Sequence, residues 1–394
     1  VNPAAALRPA PQPPPRPAPH SRGTRFGGRT LTLLTVLLLV MGGAASPDRA
    51  RQTERPAPPL HVRGNVLADP DGRPVVLHGV NRVGGEYACI QGWGPWDGPM
   101  DDASVTAMRA WHVDAVRLPL NEDCWNGDPR IPAHLSGAAY ARAVEDYVTV
   151  LERHGITPIL ALHWSSGRYT GPAAQCTADR AECLKPMPDQ GAVRFWTSLA
   201  RTFRDEAVLF DLYNEPHPDQ ALPPEQAWRC WRDGADACAG AGLDYTPVGM
   251  RDLVDAVRAT GSRNVLLIAP PAWANDLTGW GTHPVTDPRH NLAAAWHAYP
   301  DSTCATEDCW NTTVRPVSRR IPVLATEIGE YDCAGTFQDI LTPWLDRHAT
   351  GYLAWAWNTG DCARRPSLIA DFSGTPTPYG AAYRTHLHAL HDTR

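Results

Sequence analysis

The chain has 394 residues, 36 Lys and Arg against 42 Asp and Glu, a formal charge of −6 and 43% hydrophobic residues, an ordinary globular composition. That balance argues against a nucleic-acid partner, because no cluster of basic residues sits beside aromatic ones. Positive charge is carried almost wholly by arginine, a bias that fits a GC-rich genome rather than a binding function.

Residues 1–29 are rich in proline and arginine and have no apolar periodicity, so no packed structure is expected there. Next comes "LTLLTVLLLVM", Leu31 to Met41, with Arg25 and Arg29 before it and the small residues of "GGAASP" after it. A basic flank, a short apolar core and small residues near Ala45 mark residues 1–45 as a disordered leader with a secretory signal. The apolar run falls short of the roughly 20 residues a membrane-spanning helix needs, which favours a cleaved signal over an anchor. If it is cleaved the protein is extracellular with no stable membrane partner; if not, the segment anchors it. Residues 46–59 read as a linker and 60–394 as a single catalytic domain.

Ten cysteines suit export. None has zinc-ligand spacing, so disulfides are favoured over metal. Nearness in sequence pairs Cys176–Cys183, Cys230–Cys238 and Cys304–Cys309 and leaves Cys89, Cys124, Cys333 and Cys362 for two longer links.

After the linker, "VRGNVLADPDGRPVVL" alternates apolar and polar residues around Asp69-Pro70-Asp71-Gly72, a hairpin turn. Eight short apolar runs then follow: "PVVLHGVN", "VDAVRLPL", "ITPILALHW", "VLFDLYNE", "NVLLIAP", "LAAAWHAY", "IPVLATEIG" and "GYLAWAWN". Amphipathic helical stretches such as "DDASVTAMRAW", "AAYARAVEDYVTVLERH" and "VGMRDLVDAVRAT" lie between most of them; between the fifth and sixth the helical signal is weak. Strands alternating with helices imply parallel pairing, and eight units predict an α/β fold, a (β/α)₈ barrel with an N-terminal β-hairpin. An open doubly wound sheet is the rival, but the Gly-rich phosphate turns that would accompany it are absent from the sequence.

In such a barrel, chemistry sits at the C-terminal ends of the strands. Those positions hold Arg117, His163, Asn214, Glu215, His297, Tyr299, Glu327, Trp355 and Trp357. Two carboxylates from different strands facing one mouth suit glycosidic-bond hydrolysis, in which one protonates the leaving oxygen and the other attacks or assists at the anomeric carbon. Their pKa values must differ, and Arg117 beside Glu327 would keep that carboxylate ionised while an aromatic wall leaves Glu215 protonated.

From the hairpin near Leu60 to about Tyr379 the sequence resembles glycoside hydrolase family 5. The resemblance rests on "NEP" at Asn214-Glu215-Pro216 and "ATEIGE" with Glu327. It is supported by "AVRLPL" with Arg117, "LALHW" with His163, "HAY" with His297 and Tyr299, and "AWN" with Trp357. It implies a retaining β-glycosidase with Glu215 as acid/base and Glu327 as nucleophile. Asn214 would bind the sugar 2-hydroxyl, Arg117 and Tyr299 orient Glu327, and His163 and His297 hold the sugar or the acid/base. Trp357 would form the platform under the −1 sugar. It implies no cofactor and no metal, a monomer, and a carbohydrate partner: β-glucan, β-mannan or a related oligosaccharide. Endo-glucanase action leads; exo-cleavage of short glycans, transglycosylation and a non-catalytic carbohydrate-binding barrel are the alternatives.

Several residues have plainer readings. Glu86, Glu122, Asp123 and Glu330 fall near the same face without matching the pattern, and Glu122 and Asp123 either bind substrate hydroxyls or cap a loop. In "THLHALH", His388 and His391 share a helical face and His386 points elsewhere, so no ligand role is assigned. Nine tryptophans follow strands (Trp93, Trp96, Trp125, Trp164, Trp228, Trp231, Trp273, Trp280 and Trp310), and packing accounts for about half of them, the others suiting sugar stacking. On the barrel reading, Cys89–Cys124 and Cys333–Cys362 bridge neighbouring loops of the catalytic face.

Overall fold

The eight apolar runs become the staves of one closed barrel in a computed structural model, which describes residues 56–392 except 168, 172–183, 205 and 364. The expected signal, most of the linker and the Cys176–Cys183 pair lie outside the described residues.

Three short strands come first, β1 (His61–Arg63), β2 (Val66–Ala68) and β3 (Pro74–Val75), forming an antiparallel sheet. The turn between β2 and β3 is the expected one: Gly72 N donates to Asp69 O at 2.8 Å with Gly72 at φ +79°, which suits a residue without Cβ. The barrel strands are β4 (His78–Asn81), β5 (Ala115–Asn121), β6 (Thr157–Trp164), β7 (Leu209–Asp211), β8 (Leu266–Ile268), β9 (Leu292–Ala298), β10 (Val323–Ile328) and β11 (Gly351–Ala354). Every neighbouring pair is parallel, and β11 closes onto β4.

Two boundaries differ from the sequence reading. The first apolar run is split: Pro74–Val75 pairs back onto Leu67 and Ala68, and only His78–Asn81 enters the barrel. Arg117 is not at a strand end but is the third residue of the seven in β5, opposite Asn81 and Ile159.

Side chains alternate across a strand, so residues two apart share a face. One inward layer is apolar, with Ala115, Ile159, Leu209, Leu267, Ala293, Ala295, Leu324 and Leu353 in one cluster. Leu60 and Leu67 of the small sheet join this cluster, and Val62 N donates to Asn291 Oδ1 at 2.6 Å just before β9. The N-terminal sheet thus closes the bottom of the barrel. Outside it, helices bury one stripe each: Ala138–Arg153 buries Tyr140, Val144, Tyr147, Val148 and Leu151, and Met250–Arg258 buries Leu253, Val254 and Val257. Between β8 and β9 there is only the short segment Pro271–Ala274, with Ala272, Trp273 and Ala274 at φ +56°, +59° and +61°. The weak helical signal there is explained.

Four disulfides tie loops among the described residues: Cys89–Cys124, Cys230–Cys238, Cys304–Cys309 and Cys333–Cys362. Cys89–Cys124 joins the loops after β4 and β5, and Cys333–Cys362 those after β10 and β11.

Candidate active site

Two residues up from the apolar layer the inward face turns polar. Gly79 leads to Asn81, Ala115 to Arg117, Leu209 to Asp211 and Ala295 to His297; four residues on from Ile159 stands His163. All are buried. Glu327 reaches the same place through an irregular register in β10, where pairing to both neighbours shifts between Leu324 and Ile328. Hydrogen bonds link six of the eight expected site residues, Arg117, Asn214, Glu215, His297, Tyr299 and Glu327, while His163 stacks on Trp355 and Trp357 lies apart.

Arg117 is the hub. Its Nη1 donates to Glu327 Oε1 at 2.6 Å and to Asn81 Oδ1 at 3.0 Å, Nη2 to Asn214 Oδ1 at 2.8 Å, and Nε to Asp211 Oδ2 at 2.8 Å. The guanidinium is fully buried, and a rigid fork carrying five N–H donors suits several carboxylate and amide acceptors at once. Tyr299 donates its hydroxyl to Glu327 Oε2 at 2.7 Å, so both oxygens of that carboxylate are held. Gly329 makes room for this contact, since a Cβ there would stand 2.6 Å from a Tyr299 ring carbon.

Glu215 lies beyond β7, with its backbone at φ +49° between Asn214 and Pro216, a left-handed conformation that costs a non-glycine residue about 1–2 kcal/mol. Asn214 N donates to Leu162 O at 2.9 Å and anchors the turn. Glu215 Oε1 is 2.9 Å from His297 Nδ1, which is 3.7 Å from Glu327 Oε2. An oxygen of each glutamate lies within 4.8 Å of the other. That nearness fits the roughly 5–5.5 Å carboxyl spacing of a double-displacement site, not the about 6.5–9.5 Å of an inverting one.

The carboxyls have different surroundings. The Glu215 side chain is 21% exposed and the Glu327 side chain 4%. Burial pushes Glu215 up to about 7, against the attraction of Arg117 and the Asn214 amide. Burial also raises Glu327, where His297, Arg117 and the Tyr299 hydroxyl oppose it. The hydrogen bonds from Arg117 and Tyr299 favour the ionised form of Glu327, and one charge suppresses a second one nearby. Burial drives both histidines toward the neutral form, His163 well below its ordinary range and His297 down to about 4.

Trp357 corrects the sequence reading. Its side chain is 0% exposed and packs edge-on against Trp111 at 4.8 Å, so no face is left for a sugar. Both tryptophans lie beyond the end of β11 at Ala354, where strand alternation no longer sets which way a side chain points. Trp355, partly exposed and joined to Ala356 by a cis peptide bond, stacks on His163 at 5.3 Å between ring centroids.

Glu122 and Asp123 are both buried. Asp123 accepts from Gly167 N at 2.8 Å and from Arg130, and Glu122 is buried where its Oε1 faces Gly191. Glu330 accepts the backbone N–H groups of Gly335, Phe337 and Gln338 and so caps the helix Gln338–Arg347. Glu86 is buried and accepts from Gly84 N at 2.7 Å. Of the nine loop tryptophans, Trp96, Trp125, Trp228, Trp231 and Trp310 are buried as packing predicts, whereas Trp93 is 58% exposed. Trp93 stands edge-on to Tyr87, which is 6.1 Å from Trp164. Tyr331, 53% exposed, stacks on Tyr299 at 5.6 Å.

Asp211, Asn81 and Tyr331 were missed by the sequence reading. For the first two the signal was present: each lies two residues after an inward-facing position, at an unfavourable residue type for a strand interior. Tyr331 lies on a loop, where no such periodicity exists.

The family model described as Cellulase (glycosyl hydrolase family 5) matches residues 68–361. An endoglucanase of Paenibacillus polymyxa is 22% identical over 342 residues, covering 79% of this chain and 83% of that protein. A mannan endo-1,4-beta-mannosidase of Salipaludibacillus agaradhaerens is 19% identical over 315 residues, covering 76% and 81%. Among solved structures, a beta-glucanase from Saccharophagus degradans aligns with a TM-score of 0.64 at 18% identity, covering 86% of this chain and 95% of that one. That beta-glucanase has also been solved in complex with cellotetraose.

Proposed function

The chain belongs to glycosyl hydrolase family 5 and is a retaining glycoside hydrolase; from that premise we propose that it is an extracellular endo-acting β-glucanase with Glu327 as nucleophile and Glu215 as acid/base. The observation that carries the reading is the pair itself: two carboxyls close together, one gripped at both oxygens by Arg117 and Tyr299, the other raised to about 7 and open to water.

Glu327 attacks the anomeric carbon while the protonated Glu215 gives its proton to the departing glycosidic oxygen. The resulting glycosyl ester is then cleaved by a water that Glu215, now ionised, deprotonates. Arg117 fixes the Asn214 amide by donating to its oxygen, and the Asn214 Nδ2 group, 3.4 Å from Glu215 Oε2, turns its other N–H toward the sugar 2-hydroxyl. Neutral His297 sits against the acid/base and His163 backs Trp355, which takes over the platform role first expected of Trp357. The chemistry uses no cofactor.

Trp93 and Tyr87 on the loop after β4 and Trp164 at the end of β6 form a run of ring surface that favours a polymer over a short glycan. A glucan is preferred to a mannan on the cellotetraose complex of the S. degradans beta-glucanase, a likeness of fold at 18% identity. Disulfides across the described loops support export. The test is product chromatography on soluble β-1,4-glucan and β-1,4-mannan, with Glu327→Gln as control. A ladder of cello-oligosaccharides supports the reading; a manno-oligosaccharide ladder moves it to mannan; single sugars from chain ends or longer transfer products replace endo-hydrolysis; turnover that survives Glu327→Gln overturns the nucleophile.

A further inference from the structure

Around the closed barrel the strands run from β4 to β11 in chain order, and Trp355, Tyr87, Trp93 and Trp164 follow β11, β4 and β6 or end them. The remaining arc of the rim, from β7 to β10, begins with Glu215 and ends with Tyr331, which is 53% exposed. The Tyr331 ring lies flat on Tyr299, with centroids 5.6 Å apart and planes 14° from parallel, so one face is covered and the other is left to solvent. Tyr299 in turn holds Glu327 at 2.7 Å, which puts the free face one ring away from the nucleophile.

The loop that carries Tyr331 is fixed. Glu330 accepts the N–H groups of Gly335, Phe337 and Gln338, and Cys333–Cys362 ties the loop to the one after β11. The turn after β9 is closed by Ser302, whose N donates to Tyr299 O at 3.1 Å and whose Oγ accepts from Tyr299 N at 3.2 Å; it carries the exposed Asp301. Partial burial, then the charges of Asp301, Glu215 and Glu327, push the Tyr331 hydroxyl above its ordinary range, and the Asp301 charge adds to the burial that raises Glu215. Tyr331 therefore stands near the acid as well as the nucleophile, with its hydroxyl a neutral donor.

We propose that Tyr331 is the stacking residue of the subsite that holds the departing sugar, an inference that rests on Glu215 as the acid. Glu215 gives its proton to the glycosidic oxygen, so the departing sugar lies on the Glu215 side of the scissile bond, over the arc that the other rings leave. A pyranose presents a flat face of C–H groups, which stacks on a fixed aromatic face at little cost in conformational freedom. The same ring holds an incoming sugar when the glycosyl ester on Glu327 is opened by a sugar hydroxyl instead of water. The hydroxyl gives its proton to Glu215, its oxygen bonds to the anomeric carbon, and Glu327 leaves as the carboxylate. Tyr331 thus sets both the preference for a sugar as leaving group and the share of transfer.

Tyr331→Ala alters an exposed side chain and keeps the fold, and Tyr331→Phe keeps the ring. kcat and KM are measured on a four-sugar β-1,4-oligosaccharide and on a β-disaccharide fluoride, whose leaving group is a single atom. Tyr331→Ala is expected to raise KM for the oligosaccharide about 3-fold to 10-fold, to leave the fluoride unchanged and to lower the fraction of transfer products. Tyr331→Phe should behave as the parent. An equal loss on both substrates overturns the proposal and makes Tyr331 a support for Tyr299 and Glu327; no change on either overturns it as well. Run with gluco- and manno-configured pairs, the preferred pair tests the sugar and the ratio within it tests the subsite, so either reading can fail alone.

Discussion

Arg117 Nε lies 2.8 Å from Asp211 Oδ2, on the other side of the guanidinium from Glu327. Asp211 makes no hydrogen bond to Glu215 or Glu327, yet it fixes the plane in which Arg117 meets Glu327. Both groups are fully buried, so this is an ion pair in which removing one partner strands the other charge. Asp211→Asn, which keeps an acceptor but drops the charge, is expected to lower kcat about 10-fold to 100-fold with little change in KM. Steady-state kinetics check it; a change confined to KM would assign Asp211 to substrate binding.

On the proposed mechanism Glu215→Gln removes the proton donor and keeps the shape. Hydrolysis of a glucan should fall by about 10²–10⁴, the usual worth of general acid–base catalysis. Aryl glycosides with acidic leaving groups need little protonation, so their first step should be spared and the ester should accumulate. A burst of phenol followed by slow turnover is the expected trace. Equal losses on both substrates would mean that Glu215 is not the acid.

The pH profile follows from the same residue. As the proposed general acid Glu215 has to be protonated, and burial pushes its carboxyl up to about 7, so kcat/KM should fall as pH rises through about 7. On the same mechanism the acid limb belongs to Glu327, which has to be ionised to attack. In Glu215→Gln the alkaline limb should vanish from whatever activity remains. A limb that stays at the same pH belongs to another group.

Glu86 gives a stability prediction without catalytic consequence. Burial raises its carboxyl to about 8 from 4.5, opposed by the backbone N–H groups of Glu86 and Gly84. The folded state therefore binds a proton that the unfolded state has released. The stabilisation is fully present below pH about 4.5 and is lost as pH rises through about 8, a change of roughly 3–5 kcal/mol. Glu86→Gln imitates the protonated form, so its Tm should exceed that of the parent above pH about 8 and match it below about 4.5. Parallel Tm–pH curves for the two proteins would refute it.

Trp355 and Trp357 are two residues apart and should fail differently. Trp357→Ala leaves a cavity in packed core and should cost about 3–5 kcal/mol of stability. Trp355→Ala should leave Tm nearly unchanged and lower kcat/KM on oligosaccharides about 10-fold or more, the loss of a sugar platform. Denaturation and kinetics on the pair separate the roles, and the reverse pattern would restore Trp357 as the platform.

The barrel, its eight strands and the two glutamates were legible because they depend on local pattern. Apolar runs separated by amphipathic helices dictate parallel pairing, and the strand ends then name the chemistry. Asp211 and Asn81 followed the same two-residue period and were within reach. What sequence alone could not decide were relations between segments far apart in the chain. Whether Trp355 or Trp357 faces the mouth depends on how the chain leaves β11. Whether Glu122 meets substrate or Gly191 depends on packing between loops. His112 and His388 are 276 residues apart and meet only because barrel closure brings the last helix under the second strand. Periodicity fixes which way a side chain points within its own element; only the closed tertiary structure decides what it points at.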